Sequence, residues 1–223
     1  MKSAYKNLMC LFIFLLLPFF VRSQEFKKYE YKSGKLEQKI TGNVTGTNIV
    51  YWDDFGNKEL TVLDISFFGN SQKQTILSVG EDIYTWKDKD TVINHASNEV
   101  MGKFIEHHFT PDDFARLSSK LMEKSGFVQK GTDTLMDKVC IIWENQQGGK
   151  IWAWKNLTLQ MEMNTGGMSM KYEPVSLSLD TKLPENTFKL PDFKIIDQNT
   201  GTNEAEKQMM LEIINEMFES SGK

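Results

Sequence analysis

Short runs rich in β-branched and aromatic residues, each closed by a turn signal, recur along most of this chain. They restrict it to a sheet built from sequential antiparallel hairpins. Residues 25–31 and 35–40 flank Ser33-Gly34, residues 48–53 and 58–64 flank Asp54-Phe55-Gly56-Asn57, and residues 74–79 and 82–87 flank Gly80-Glu81. Residues 133–144, 150–154, 158–163 and 168–178 continue the pattern. Gln147-Gly148-Gly149 and Thr165-Gly166-Gly167 are the clearest turns, because glycine takes positive φ without strain.

Two helices interrupt the strands. Thr110-Pro111-Asp112-Asp113 opens the first: Thr110 caps it, Pro111 suits the first helical position, and both acids suit the positive end of the dipole. Phe114, Leu117 and Leu121 give it one apolar face, and Gly126 ends it. A polar linker, Asp197-Gln198-Asn199-Thr200-Gly201-Thr202, leads to the second helix, over 203–218. There Met210, Ile213, Ile214, Met217 and Phe218 lie opposite Glu206, Lys207, Glu212 and Glu216. Many hairpins with few helices predict an α+β fold, a curved antiparallel sheet carrying helices on one face.

Residues 1–23 carry Lys2, Lys6 and Arg22 and no acid around an apolar run at 8–21. That run is short for a membrane-spanning helix, which needs about 20 residues. A basic start, a short apolar core and small residues before a cut describe a secretory signal, cleaved before Gln24. The alternative is an uncleaved anchor. Cys10 precedes most of the apolar run, whereas a lipid-accepting cysteine would follow it. The whole chain has net charge −4, and loss of the three basic residues of 1–23 leaves −7. An acidic chain without basic clusters is a poor partner for nucleic acid or an anionic membrane surface. After cleavage only Cys140 remains, so no internal disulfide can form and the core must hold the fold. Cys140 sits in the apolar run Val139-Cys140-Ile141-Ile142-Trp143, which reads as a buried, inert thiol.

No catalytic constellation is present. There is no nucleophile elbow, phosphate-cradling loop or dinucleotide fingerprint. The histidines are His95, His107 and His108. Combining the last two with Glu106, Asp112 or Asp113 would give a metal set, but strand neighbours point to opposite faces, and exposed strand-end histidines are the simpler account. Asp53-Asp54 and Asp112-Asp113 read as turn and helix-start residues.

The most distinctive local feature is apolar. Trp152 and Trp154 share a face of one strand. Leu159, Met161 and Met163 share a face of the next, and Met168, Met170 and Tyr172 share a face of the strand after Gly166-Gly167. A hairpin closing at those glycines puts the four methionines on one side. Three readings fit: ordinary core packing, a surface for ligands of variable shape, or a thioether site favouring Cu(I).

Several segments carry a family resemblance. Gly131-Thr132-Asp133-Thr134-Leu135-Met136-Asp137-Lys138-Val139-Cys140 and Gly149-Lys150-Ile151-Trp152-Ala153-Trp154-Lys155-Asn156-Leu157-Thr158-Leu159-Gln160-Met161-Glu162 resemble elements of the lipoprotein-carrier (LolA/LolB-like) superfamily. Leu183-Pro184-Glu185-Asn186-Thr187-Phe188-Lys189-Leu190-Pro191 is similar to the strand ending of those proteins, and Val50-Tyr51-Trp52-Asp53-Asp54-Phe55-Gly56 resembles a turn in a Bacteroidetes-type exported branch. The resemblance covers most of 29–196. It implies a half-open barrel with helices on its concave face and an apolar cavity between, which in the carriers takes lipoprotein acyl chains. Two features depart from it: no clear helix precedes the first strand, and the helix at 203–218 is an addition.

The resulting expectation is a signal at 1–23, a half-barrel domain at 24–197, and a linker with an amphipathic helix at 198–223. The expected protein is not an enzyme and carries no cofactor or metal. It is periplasmic or secreted, with no transmembrane segment after signal cleavage. It binds a lipid acyl chain or other apolar small molecule through Trp152, Trp154, Met161, Met163, Met168 and Met170. The alternatives are an envelope sensor that binds a protein partner through 203–218, and Cu(I) binding by the methionines.

Overall fold

The computed structural model of the protein describes residues 27–97 and 113–198. The leader expected at 1–23, the helix start expected at Thr110-Pro111, His107 and His108, and the helix expected over 203–218 all lie outside the described residues.

Among the described residues twelve strands form one sheet. In chain order they are β1 (Gly34–Gly42), β2 (Val44–Asp53), β3 (Lys58–Phe67), β4 (Asn70–Val79), β5 (Asp82–Lys87), β6 (Val92–Ser97), β7 (Phe127–Leu135), β8 (Lys138–Asn145), β9 (Gly149–Trp154), β10 (Leu157–Thr165), β11 (Met168–Leu179) and β12 (Lys194–Asp197). Among the described residues one α-helix, α1 (Asp113–Lys124), precedes β7. The order across the sheet is β12-β6-β5-β4-β3-β2-β1-β11-β10-β9-β8-β7. Strands β1 to β6 form one antiparallel meander and β7 to β11 another. Antiparallel pairing of β1 with β11, from Gly34–Leu179 to Gly42–Met170, joins the two. Strand β12 adds to β6 in parallel. The edges β7 and β12 do not pair, so the curved sheet stays unclosed as a half-open barrel.

Helix α1 ends as its sequence dictates. Ser125 N–H donates to the Leu121 carbonyl at 3.0 Å, Gly126 N–H donates to that of Glu123 at 2.9 Å, and Gly126 takes φ +82°. Leu121 is buried. Met122 packs on a cluster that includes Ile40, Phe127, Trp143, Met161 and Tyr172, so the helix lies over the sheet's inner face.

Three sequence expectations are corrected. Residues 27–33 are not a strand and no hairpin turns at Ser33-Gly34. The Tyr29 N–H instead donates to the Phe55 carbonyl at 3.0 Å, and the Phe55 N–H to that of Lys32 at 2.9 Å, so the segment crosses the β2–β3 turn. Residues 133–144 are two strands, because Met136 and Asp137 both take left-handed φ, +51° and +59°, and reverse the chain without glycine. Residues 183–191 form turns, not a strand. Pro184 and Pro191 offer no N–H to a ladder, and the Thr187 N–H donates to the Pro184 carbonyl at 3.0 Å.

An imidazole reinforces the ladder that holds the parallel edge strand. His95 on β6 contacts Asp197 of β12 through Nδ1 at 2.5 Å and Asp82 of β5 through Nε2 at 2.9 Å, and stacks on Tyr84 of β5 at 4.8 Å. The hydrogen bond to Asp197 leads in raising the His95 pKa, Asp82 adds to it, and burial works against both. A raised folded pKa stabilises the docked strand fully below the unfolded value of about 6.5, and the gain disappears as pH rises through the folded value. Hydrogen exchange corrected for intrinsic rates should show protection of residues 194–197 falling across that rise, with His95→Asn flattening the pH dependence.

Candidate functional site

The inner face is built in layers that follow the strand register. Leu36, Gln38 and Ile40 alternate on β1 and are all buried. The Ile40 row runs from Ile65 through Gly46, Ile40, Tyr172, Met161 and Ile151 to Trp143, spanning β3, β2, β1, β11, β10, β9 and β8. One step toward the open end, Phe67 pairs with Val44, while Gly42 pairs with Met170 and Met170 with Met163. In the other direction lie the Leu63, Asn48 and Gln38 row and then the rows of Leu36 and Trp52.

The Gln38 row is polar. Gln38 Nε2 reaches past β11 and donates to the backbone carbonyls of Thr158 at 3.1 Å and Leu159 at 2.8 Å on β10. Its Oε1 accepts from Asn48 Nδ2 at 2.7 Å. These carbonyls are free for it because Leu159 is an extra residue: Thr158 pairs with Ala153, but Gln160 pairs with Trp152. The bulge also changes the face on which β10 presents its side chains. Leu157 and Leu159 therefore join Trp152 and Trp154 in one cluster, while Met161 and Met163 join Ile40 and Tyr172 in another.

The six residues singled out by sequence thus fall into two groups. Trp152 and Trp154 are buried with Tyr29, Leu36, Trp52 and Cys140 at one end. That end is plugged: Tyr29 Oη donates to Glu59 Oε2 at 2.6 Å, Lys28 Nζ does the same at 2.6 Å, and the Tyr29 and Trp52 rings lie 5.0 Å apart. Trp52 Nε1 donates to the Tyr31 carbonyl, and Trp152 Nε1 to Asp133. The four methionines share a face at the other end, as the hairpin pattern predicts, with Met163 directly opposite Met170. Their exposure is graded: Met161 is 2% exposed, Met163 5%, Met170 partly buried and Met168 42%. Val44 and Ile65 flank the same cluster from β2 and β3. Met161 pairs with Tyr172 while Met168 pairs with Thr165, so their backbones are about 14 Å apart along the hairpin. Four thioethers spread over that distance do not converge on one ion.

Burial governs the titrating groups inside. It pushes the Tyr172 phenol up to about 12 and raises the Cys140 thiol. Tyr29 is raised well above the ordinary phenol value, first by burial and then by Glu59. The Cys140 thiol is fully enclosed, which makes it inert packing. No cluster of His, Cys, Asp and Glu able to hold a metal occurs among the described residues. Gln38 and Asn48 belong to no sequence motif. The one signal for Gln38 is a lone amide at the inward position of Leu36-Glu37-Gln38-Lys39-Ile40.

No protein-family profile matches the chain, and no curated protein matches it either. Among solved structures the chain is similar to an uncharacterized conserved protein from Thermus thermophilus, at 9% identity over 78% of this chain and 95% of that one, TM-score 0.49. It is similar to a chain of the Pseudomonas aeruginosa MucA/MucB complex at 10% identity over 74% of this chain, TM-score 0.39, and spans 57% of that chain. It is also similar to LprF from Mycobacterium bovis, at 9% identity over 72% of this chain and 91% of that one, TM-score 0.33. These are partial likenesses of strand arrangement, and none of them assigns an activity or a ligand to this chain.

Replacing Gln38 by leucine keeps the volume but orphans two carbonyls and the Asn48 amide. Each orphan costs about 1–3 kcal/mol, so Gln38→Leu should lower unfolding stability in urea by at least about 2 kcal/mol.

Proposed function

We propose that this protein is an exported binding protein for an apolar ligand, an acyl chain above all, and that it works without covalent chemistry. The observation that carries this reading is the graded methionine face. It starts at Met161 inside the Ile40 layer, continues through the cross-strand pair Met163 and Met170, and reaches solvent at Met168. Methionine has three flexible bonds and a polarisable sulfur, so such a face adapts to chains of variable length. Binding would rest on desolvation, about 0.8 kcal/mol per buried methylene. Gln38 and the Tyr29–Glu59 plug give the track a blind end, so a ligand enters at the Met168 rim. The leader at 1–23 supports export to the periplasm or beyond. No helix among the described residues is long and apolar enough to cross a membrane.

The direct test is uptake of a dansyl-labelled undecanoate by the purified protein. Met168→Asp combined with Met170→Asp should weaken binding at least tenfold, with the melting temperature little changed, because Met168 is exposed and Met170 half-buried. The paired change to leucine should bind like the native protein. Aspartate variants that bind the probe as the native protein does would sink the reading.

A further inference from the structure

A second site lies on the opposite side of the sheet. The chain leaving β11 reaches β12 by a strap, residues 180–193, which runs beside the β2–β3 and β4–β5 turns and leaves a groove of about 820 Å³. Lys58 stands in register with Asp53 of β2 and Val79 of β4, and alternates with the inward Glu59. Its side chain therefore leaves the sheet on the face away from the methionines.

Four ammonium groups line this groove: Lys32, Lys58, Lys182 and Lys189. None of them forms an ion pair or side-chain hydrogen bond among the described residues. Three acids also line it, Asp53, Asp180 and Glu185, and backbone N–H groups engage one oxygen of each of the first two. Asp180 Oδ1 accepts from the Lys32 N–H at 3.1 Å, and Asp53 Oδ1 from the Asp54 N–H at 2.8 Å. Four lysines against three carboxylates leave the groove with a net positive charge, in a chain of net charge −4. Val79, Leu183 and Phe188 give the wall apolar patches, among polar ones from Ser33, Thr181 and Asn186.

The strap is held in shape without a ligand. The Asp180 N–H donates to the Ser33 carbonyl at 2.7 Å, and Ser33 Oγ to the Thr181 carbonyl at 2.8 Å. Thr187 closes a turn on the Pro184 carbonyl through both its N–H, at 3.0 Å, and its hydroxyl, at 2.7 Å. A preformed groove of this volume falls in the range of small-molecule sites, about 300–1,000 Å³.

We propose that the strap groove binds a small organic anion. The lysines hold its phosphate or carboxylate head, and Val79, Leu183 and Phe188 take a short apolar body. Lysine ammoniums are point charges that suit either head group. The site is separate from the methionine track, since it lies on the other face of the sheet.

The test is a calorimetric titration of the protein with hexyl phosphate, with amide shifts used to locate the site. The expected result is saturable binding that shifts amides in 53–58 and 180–189. Inorganic phosphate should bind at least tenfold more weakly, and hexyltrimethylammonium should leave these amides unmoved. Lys182→Gln with Lys189→Gln, both exposed, should weaken hexyl phosphate at least tenfold and leave uptake of an uncharged acyl probe, 1-undecanol, unchanged. Absence of hexyl phosphate binding overturns the proposal. So does equal binding of the double variant, equal binding of the cationic amphiphile, or inorganic phosphate binding as tightly as its hexyl ester. Met168→Asp with Met170→Asp should leave this titration unaffected, so the two sites can fail separately.

Discussion

The interior of this half-barrel depends on one buried amide. Gln38 projects inward from β1 between two apolar neighbours and spends both donors on the carbonyls of Thr158 and Leu159, two strands away. Asn48 satisfies its oxygen from the other side. An unpaired amide in this position would cost several kcal/mol, as would the carbonyls it serves. The tie is possible only because β10 supplies one residue more than β9 at Leu159, which turns both carbonyls toward the amide.

The consequences run outward from that tie. Because β10 changes its inward face at the bulge, the tryptophans and the methionines separate into two compartments with a polar layer between. The tryptophan compartment is closed by Tyr29, whose hydroxyl shares Glu59 with Lys28. The methionine compartment receives α1 through Met122 and remains graded toward solvent at Met168. One sheet therefore offers two different chemistries. Its inner face carries the methionines at the end where Met168 reaches solvent. Its outer face, under the strap that leads to β12, gathers lysines that have no acidic partner among the described residues.

Much of the sheet was legible because its turns were written in glycine or in a polar tetrad. The β2–β3, β4–β5 and β10–β11 hairpins all follow from such signals. The Met136-Asp137 turn was not: it reverses the chain through two left-handed residues that no local rule would nominate. The segment before β1 has the alternation of a strand, yet it is used as a plug, with Tyr29 bonded to Glu59 and packed on the Trp52 ring. The methionine row was readable from period two and a Gly-Gly turn. Its separation from Trp152 and Trp154 was not, since a bulge leaves no signature when both residues at the site are compatible with burial. Strand β12 is four exposed residues whose ladder is reinforced by His95, 102 positions from Asp197 in the chain.

The measurement that bears most directly on the methionine track is a native mass spectrum of the protein purified from an exporting host without detergent. The account predicts a population carrying one discrete added mass that dissociates as an acyl lipid. A single bare mass that takes up no acyl lipid when it is supplied would contradict it.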